Sequence, residues 1–172
     1  KAGLGFARAE KDVDPAEWFF KAHFFTDPVQ PGSLGIEVML QLLQVFMLEG
    51  GLAEGMRNPR FEAIERGAHS WKYRGQVLPH SKLVVCTLTV TAVERSDAQV
   101  VARGTSSLWC DGVRIYEADV GMTVRGGTDE DPPAGTPPQE EVFDPAREPW
   151  IADHRPTFTL PAMPFMSMVD RL

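Results

Sequence analysis

The sequence predicts an α+β fold in which an antiparallel β-sheet curls around one central helix. Residues 34–48 are apolar on nearly every side, which is typical of a helix that lies in a core. Four later segments, 70–77, 82–94, 99–110 and 113–124, are predicted to be strands joined by short turns. One buried helix followed by such a meander favours a sheet wrapped around the helix.

The first half of the chain is assigned from local signals. Residues 4–13 alternate loosely and predict a first strand, after which Asp14 and Pro15 begin a turn. Pro28 and Pro31 then prevent regular structure, and Ser33 is predicted to be the N-cap of the central helix.

The second half begins with a connection and continues with hairpins. Residues 50–68 are predicted to be a connection without regular structure. Ser96-Asp97 and Asp111-Gly112 supply the turns between the last three strands. Asp-Gly between two runs of alternating hydrophobic and polar residues is a strong hairpin signal, so 99–110 and 113–124 are expected to form a hairpin.

Composition and charge exclude several classes of protein. Of the 172 residues, 43% are hydrophobic and 24% charged, which suffices for a packed core, while a net charge of −7 argues against general nucleic-acid binding. The longest charge-free apolar stretch, 38–48, has 11 residues and is too short to span a bilayer. No secretory signal opens the sequence, so a cytoplasmic protein without membrane or nucleic-acid partners is expected.

An acidic, proline-rich stretch divides the chain. Residues 126–153 hold eight acidic side chains against one basic side chain, and six of the 14 prolines lie between 132 and 149. This composition predicts one domain at 1–125 and a charged linker at 126–149. A short hydrophobic segment, 150–172, follows the linker.

Cysteine and histidine spacings do not indicate a metal site. Cys86 and Cys110 belong to no CxxC or Cys/His cluster, so buried free thiols are expected instead of a disulfide or zinc site. His69, His80 and His154 lack metal-ligand spacing and are predicted to be surface or structural residues. No metal is expected.

Polar residues share one face of the apolar helix. Glu37, Gln41 and Gln44 stand at i, i+4 and i+7, and a buried carboxylate is costly unless it is paired or hydrogen-bonded. Two interpretations remain open, a structural network between Glu37 and Gln41 or a functional acid at Glu37. His23, beside the aromatic run 18–20, is likewise either structural or functional.

The string from His23 to Glu37, HFFTDPVQPGSLGIE, resembles the active-site segment of the β-hydroxydecanoyl-acyl-carrier-protein dehydratase family, and in particular the dehydratase domains of polyunsaturated fatty acid synthases. The likeness extends over most of residues 5–125 and includes DPAEWFF at 14–20, YRGQVLP at 73–79 and DGVRIY at 111–116. It implies the hotdog fold, in which an antiparallel sheet wraps a long helix.

This resemblance implies the dehydration of a β-hydroxyacyl thioester carried on the phosphopantetheine of an acyl carrier protein, without a metal or an organic cofactor of the domain itself. His23 would be the general base that removes the Cα proton, and Glu37 the acid that protonates the departing hydroxyl. Glu in place of Asp at position 37 is typical of the purely dehydrating branch and does not favour isomerisation of the new double bond. The residues expected to bind or position substrate are Gly32, Gln41, Ser33 and Phe24.

The resemblance also implies partners. The base of one hotdog faces the acid of a neighbouring one, so a second hotdog domain is expected, as a homodimer or a pseudo-dimer. Residues 57–74 have a net charge of +3, which a solvated connector explains well, but they are also the best candidate in the sequence for a contact surface with an acidic carrier protein. Residues 159–172 resemble the lead that precedes the first strand in family members, so 150–172 is expected to begin a following hotdog domain.

Two alternatives to the dehydratase remain. One is an acyl thioesterase on the same fold, with water as the nucleophile. The other is a non-catalytic hotdog domain with a structural role in a megasynthase. The presence of both His23 and Glu37 disfavours the non-catalytic interpretation.

Overall fold

The computed structural model describes residues 4–24, 26–64 and 70–128. The predicted linker beyond residue 128 and the predicted leading segment at 150–172 lie outside the described residues, as do His69 and His154.

Six strands form one antiparallel sheet. They are β1 (Gly5–Asp12), β2 (Arg60–Ala63), β3 (Trp71–Tyr73), β4 (Leu83–Arg95), β5 (Gln99–Cys110) and β6 (Val113–Arg125). Their order is β1-β4-β5-β6-β2, and β3 also pairs with β6. The short strands β2 and β3 therefore occupy the same edge, with β2 along residues 122–125 of β6 and β3 along residues 116–118.

Two helices complete the fold, α1 (Trp18–Ala22) and α2 (Gly32–Glu49). The long helix α2 packs against β1, β4, β5 and β6. Met39, Leu43 and Met47 on its inner face have no exposed surface, and they join the strand residues Leu88 and Leu108 in one core. The predicted α+β architecture, a curled antiparallel sheet around a central helix, is confirmed.

The length and composition of α2 would also allow it to cross a membrane, since its mean hydropathy is 1.3 over 18 residues. Core helices of curled sheets have the same properties, and α2 contacts four strands of this sheet. Its packing is therefore that of a core helix.

One face of α2 is exposed, which differs from the prediction of burial on nearly every side. Glu37 and Gln41 reach solvent, and so do Val45 and Leu48, which are 52% and 47% exposed. The sheet covers only the side of α2 that carries Met39, Leu43 and Met47. Because the Glu37 carboxylate meets water, the burial cost argued from the sequence does not apply within this chain.

The strongest sequence signals are confirmed in detail. The structure has β5 at the predicted residues, and no end of β1, β4 or β6 differs from the prediction by more than one residue. Asp111 and Gly112 have φ values of 49° and 82°, as a two-residue hairpin turn requires. Cys86 and Cys110 are free and buried, and His80 is exposed, as predicted.

Other expectations were wrong. Ser33 is not the N-cap, because α2 begins at Gly32 after an extended Pro31 (φ −53°, ψ 133°) and no side chain caps the helix. The helix α1 and the strand β2 were not predicted. The strand expected at 70–77 is regular only over three residues, β3, after which the chain leaves the sheet.

Candidate active site

His23 follows the short helix α1 and is held by backbone and ring hydrogen bonds. Its backbone N–H donates to the Phe19 carbonyl (2.7 Å), which closes the helix. Its ring Nδ1 lies 3.0 Å from the Val29 carbonyl oxygen, and its own carbonyl accepts a bond from the Val29 N–H (2.7 Å). A carbonyl can only accept, so the proton of the neutral ring is on Nδ1 and the lone pair is on Nε2. No described residue bonds Nε2, which makes it available as a base.

The loop after His23 is fixed to the sheet side of the molecule. Phe24 and Asp27 exchange backbone hydrogen bonds of 3.2 and 3.3 Å, and the Gln30 N–H donates to the Val77 carbonyl (3.0 Å). The His23 ring stacks on the Phe24 ring, with centroids 4.0 Å apart. Phe24 is itself 58% exposed, so the predicted substrate-binding position lies on an open surface beside His23.

Gly32 is the first residue of α2, where backbone N–H groups have no helical acceptor. Its N–H bonds no described residue, and the helix dipole makes this position favourable for an oxygen that gains negative charge. A methyl group placed on Gly32 would lie 3.5 Å from the rings of Trp71 and Tyr73, an ordinary contact distance. The fold itself therefore does not require glycine here, and close approach by a ligand would explain it.

Packing explains why position 35, about one turn further along α2, is a glycine. A methyl group there would lie 1.9 Å from the ring of Tyr116, which is almost fully buried against the helix backbone. Burial raises the pKa of the Tyr116 hydroxyl, and the adjacent Tyr73 hydroxyl raises this pKa further. Tyr116 is therefore a neutral packing residue that sets the height of the helix above the sheet.

An aromatic cluster that was not predicted from the sequence lies beside Gly32. Trp71 and Tyr73 stand on one face of β3, and their ring centroids lie 6.0 and 4.9 Å from that of Tyr116. Both remain substantially exposed, at 44% and 46%. The Trp-Lys-Tyr alternation at 71–73 was the available signal, but only the pairing of β3 with β6 places it against α2.

Glu37 and Gln41 lie together on the exposed face of α2. The Gln41 side-chain amide donates a 2.9 Å hydrogen bond to Oε1 of Glu37, so the predicted pair is present and the amide orients the carboxyl group. Both line a groove of about 400 Å³ between α2 and β1. Leu34, Val38 and Cys86 contribute apolar surface to this groove.

The rim of the groove carries ionic side chains. Lys11 on β1 donates a 2.7 Å hydrogen bond to Glu17, which precedes α1, and this pair joins β1 to the segment before the histidine. Glu10, Asp12 and Asp14 also line the rim. Besides Glu37, the groove carries four carboxylates against one lysine, so it repels anions.

The structure does not bring His23 and Glu37 together within one chain. No hydrogen bond or ion pair joins these two residues, and His23 does not line the groove that contains Glu37. A second cavity, about 350 Å³ and bounded by Asp27, Pro28 and 78–80, contains neither residue. Within one chain, His23 and Glu37 therefore share neither a direct contact nor either of these two cavities.

Ser33 and Cys86 offer hydroxyl and thiol groups near the groove. Ser33 is exposed in the first turn of α2. Cys86 is buried, its sulfur lies 3.6 Å from the Ser106 hydroxyl, and burial raises the pKa of the thiol. A thiol with a raised pKa stays protonated at neutral pH, so Cys86 is a packing residue.

The expected basic contact surface divides into two groups along the sheet edge. Arg60 pairs with Arg125 and Lys72 with Glu117, so the two groups stand eight positions apart on β6, which is roughly 27 Å. Only the second group, with Lys72 and Arg74, neighbours the aromatic cluster and Gly32.

Residues 1–119 match the FabA-like domain. The chain belongs to the FabA-like family. This FabA-like domain is 41% identical over 121 residues to one subunit of the polyunsaturated fatty acid synthase of Thraustochytrium sp.. The match covers 69% of the chain and 8% of that subunit, so the chain spans a small part of this relative's length.

Solved structures share the fold of this FabA-like domain. A point mutant of the fluoroacetyl-CoA-specific thioesterase FlK has a TM-score of 0.53 at 12% identity, over 72% of this chain and 87% of the thioesterase. A probable thioesterase from Bartonella henselae has a TM-score of 0.50 at 14% identity, over 77% of this chain and the whole of that chain. The hotdog fold implied by the sequence is confirmed.

Proposed function

We propose that this FabA-like domain dehydrates a β-hydroxyacyl thioester, carried on an acyl carrier protein, to a 2-enoyl thioester and water. The observation that carries the proposal is the hydrogen bonding of the His23 ring. Its Nδ1–H donates to the Val29 carbonyl, so Nε2 stays available as a base. Membership of the FabA-like family and the similarity to part of a polyunsaturated fatty acid synthase support this reaction class.

In the proposed reaction Nε2 of His23 removes a proton from Cα of the substrate. The electrons of that C–H bond form the Cα–Cβ double bond as the Cβ–O bond breaks. Glu37, oriented by Gln41, gives its proton to the departing hydroxyl, which leaves as water. Negative charge that develops on the thioester oxygen is stabilised by the Gly32 N–H at the start of α2.

The proposal includes a second hotdog domain. Because His23 and Glu37 of one chain share neither a contact nor a cavity, the site is formed from the base of one domain and the acid of another. The reaction moves protons and water only, so the proposal includes no metal and no organic cofactor. A carrier protein would approach beside Lys72 and Arg74, since the groove around Glu37 repels anions.

The reverse reaction gives the most direct test. Crotonyl-CoA and a longer 2-enoyl-CoA are mixed with the protein, and the enoyl absorbance and the free thiol are followed together. Loss of enoyl absorbance without thiol release is the expected result and identifies hydration of the double bond.

Other outcomes would identify the alternatives. Release of thiol at the same rate as substrate loss would replace the dehydratase by a thioesterase. No change with either substrate, using protein whose folding is established by circular dichroism, would favour a non-catalytic hotdog in a larger synthase. In the forward direction, the double bond of the 2-enoyl product is expected to stay where dehydration forms it. Chromatography of that product can check this.

A further inference from the structure

The groove between β1 and α2 exists because the β1 residues that face the helix are small. Ala9 pairs with Cys86 of β4, whose side chain is buried on the helix side, so Ala9 faces the helix as well. Gly5 lies four residues earlier on the same face, where a methyl group would lie 2.5 Å from the Phe46 ring. The space between β1 and α2 is therefore filled at Gly5 and left open beside Ala9.

The interior of the groove is apolar, whereas its rim is acidic. Leu34 and Val38 of α2 form one wall. Val84 and Cys86 of β4 are 9% and 2% exposed and form the base. The volume of about 400 Å³ lies within the range of small-molecule pockets, about 300–1,000 Å³. Because carboxylates surround this apolar interior, the groove favours a neutral apolar ligand over an anion.

The position of Glu37 in the groove indicates which part of a substrate would enter it. This step rests on the proposed function, in which Glu37 gives its proton to the hydroxyl group on Cβ. The oxygen of that hydroxyl must then lie about 3 Å from the carboxyl group. The carbons that follow Cβ therefore begin at Glu37, and the apolar surface next to it is that of Leu34 and Val38.

Charge excludes the other end of the substrate from this groove. Phosphopantetheine carries a negatively charged phosphate, which the acidic rim repels. Lys72 and Arg74 are exposed and positively charged, and β3 lies at the opposite edge of the sheet from β1. The charge distribution thus separates the anionic carrier end of a substrate from its neutral acyl tail.

We propose that the groove between α2 and β1 binds the acyl tail, and that the domain acts on β-hydroxyacyl thioesters whose tails extend several apolar carbons beyond Cβ. The tail would lie on the domain that supplies the acid. Val38 determines specificity for chain length, because it follows Glu37 directly and lines the groove. Since Val38 is only half-buried, a larger side chain there can occupy the groove without displacing the core.

A chain-length series on the full chain tests the groove without requiring turnover. Butyryl-, hexanoyl-, octanoyl- and decanoyl-CoA are saturated, so the protein can bind them but cannot hydrate them. Their Kd values, measured by isothermal titration calorimetry, are expected to fall by about two- to fourfold for each added methylene that leaves water. In NMR spectra, decanoyl-CoA should shift the amide signals of Val84 and Cys86 more than butyryl-CoA does, since these residues form the base.

Two matched variants locate the effect on α2. Val38→Phe fills the groove and should lower the ratio of decanoyl to butyryl affinity by at least about tenfold, because several methylenes lose their contacts. Val45→Phe is the same substitution two turns further along the helix, at a position that is 52% exposed and does not line the groove, so it should leave the ratio unchanged. If Val38→Phe does not fold, Val38→Ala serves instead, and it should extend the preference to longer chains.

The acidic rim provides a test that needs no substitution. Decanedioyl-CoA has the same chain length as decanoyl-CoA but ends in a carboxylate. It should bind about tenfold more weakly at low ionic strength, because the tail end would be charged among carboxylates, and the difference should shrink as salt is added. Equal affinity of the two ligands would contradict the proposed tail site.

The outcomes separate this proposal from the proposed function. Failure of every ligand to bind, a Kd that does not depend on chain length, or equal effects of Val38→Phe and Val45→Phe would overturn the groove as a tail site, even if crotonyl-CoA is hydrated. Binding that depends on both chain length and Val38, without hydration of any 2-enoyl-CoA, would support the acyl site and contradict the dehydratase.

Discussion

At the scale of single residues, the geometry assigns different tasks to side chains that the sequence presents as one motif. His23 is held by Val29, Glu37 by Gln41, and Gly32 leaves an N–H unbonded among the described residues at the start of α2. Substitution of each of these three residues is expected to affect the core little. Effects on activity can therefore be measured apart from effects on stability.

His23→Ala and Glu37→Gln should each lower kcat by about 10²–10⁴, the range of general acid–base contributions. Glu37→Gln keeps the size of the side chain and loses its proton, so Tm should be almost unchanged. The measurement is steady-state hydration of a 2-enoyl thioester, with His80→Ala as the matched control, since His80 is an exposed histidine outside the groove. Wild-type rates for either variant would eliminate the proposed mechanism.

Gly32→Ala and Gly35→Ala should have opposite profiles. The first adds a methyl group at an ordinary contact distance, so Tm should stay within a few degrees while activity falls, because the methyl group obstructs a thioester oxygen. The second forces the methyl group into the Tyr116 ring, so stability should fall by about 1–3 kcal/mol, the usual cost of overpacking. Thermal denaturation and hydration kinetics on both variants check this, and equal loss of stability in the two would contradict it.

At the scale of elements, the β5–β6 turn also organises the start of β4. The Asp111 carboxylate accepts hydrogen bonds of 2.9 Å from the N–H groups of both Lys82 and Leu83, and the Asp111 N–H donates to the Leu83 carbonyl (2.9 Å). The hydrogen bonds from Leu83 and Lys82 lower the pKa of Asp111. A single turn residue therefore joins two hairpins.

This contact predicts a pH-dependent stability. A carboxyl group whose pKa is lowered by folding stabilises the protein above its unfolded pKa of about 3.9 and loses that effect as the pH falls through the folded value. Asp111→Asn should therefore have a lower Tm than the wild type at pH 7, and the difference should shrink below about pH 4. Asp97→Asn, in the β4–β5 turn, is the control, and a gap that does not depend on pH would contradict this account.

The elements that could be predicted are those encoded by local signals. Alternation and an Asp-Gly turn define β4, β5 and β6 because a hairpin needs only neighbours in sequence. The strand β2 has four residues and exists because the end of β6 offers an unpaired edge, a fact of tertiary structure. Ser33 failed as an N-cap because an extended Pro31 already sets the start of the helix.

The sequence motif and the resemblance predict the residues of the candidate site, whereas the aromatic cluster beside them was not predicted. The sequence motif supplies His23, Gly32, Glu37 and Gln41, and the Glu37–Gln41 contact follows from helix spacing alone. The aromatic cluster depends on the register of β3 with β6, which no local pattern specifies. The expectation that His23 and Glu37 of different domains face each other came from the resemblance, since no local pattern indicates it.

At the scale of the whole molecule, a shared site predicts complementation. His23→Ala and Glu37→Ala proteins, each inactive alone, should recover part of the activity when mixed, because a hybrid pair contains one intact base and one intact acid facing each other. Mixing each variant with itself is the control, and exchange of protomers is followed by native mass spectrometry. Exchange without recovery would show that one chain supplies both groups.

The pairing of β1 has a consequence for the order of folding. Its partners on β4 are 71 to 85 residues away along the chain, whereas β4, β5 and β6 pair through adjacent turns. Closing such a long loop is entropically costly, so β1 should join last, with low φ-values, after the β4–β6 meander has formed. The same strand should open first in native-state hydrogen exchange, and because β1 is one wall of the groove, each opening would uncover Glu37 from that side.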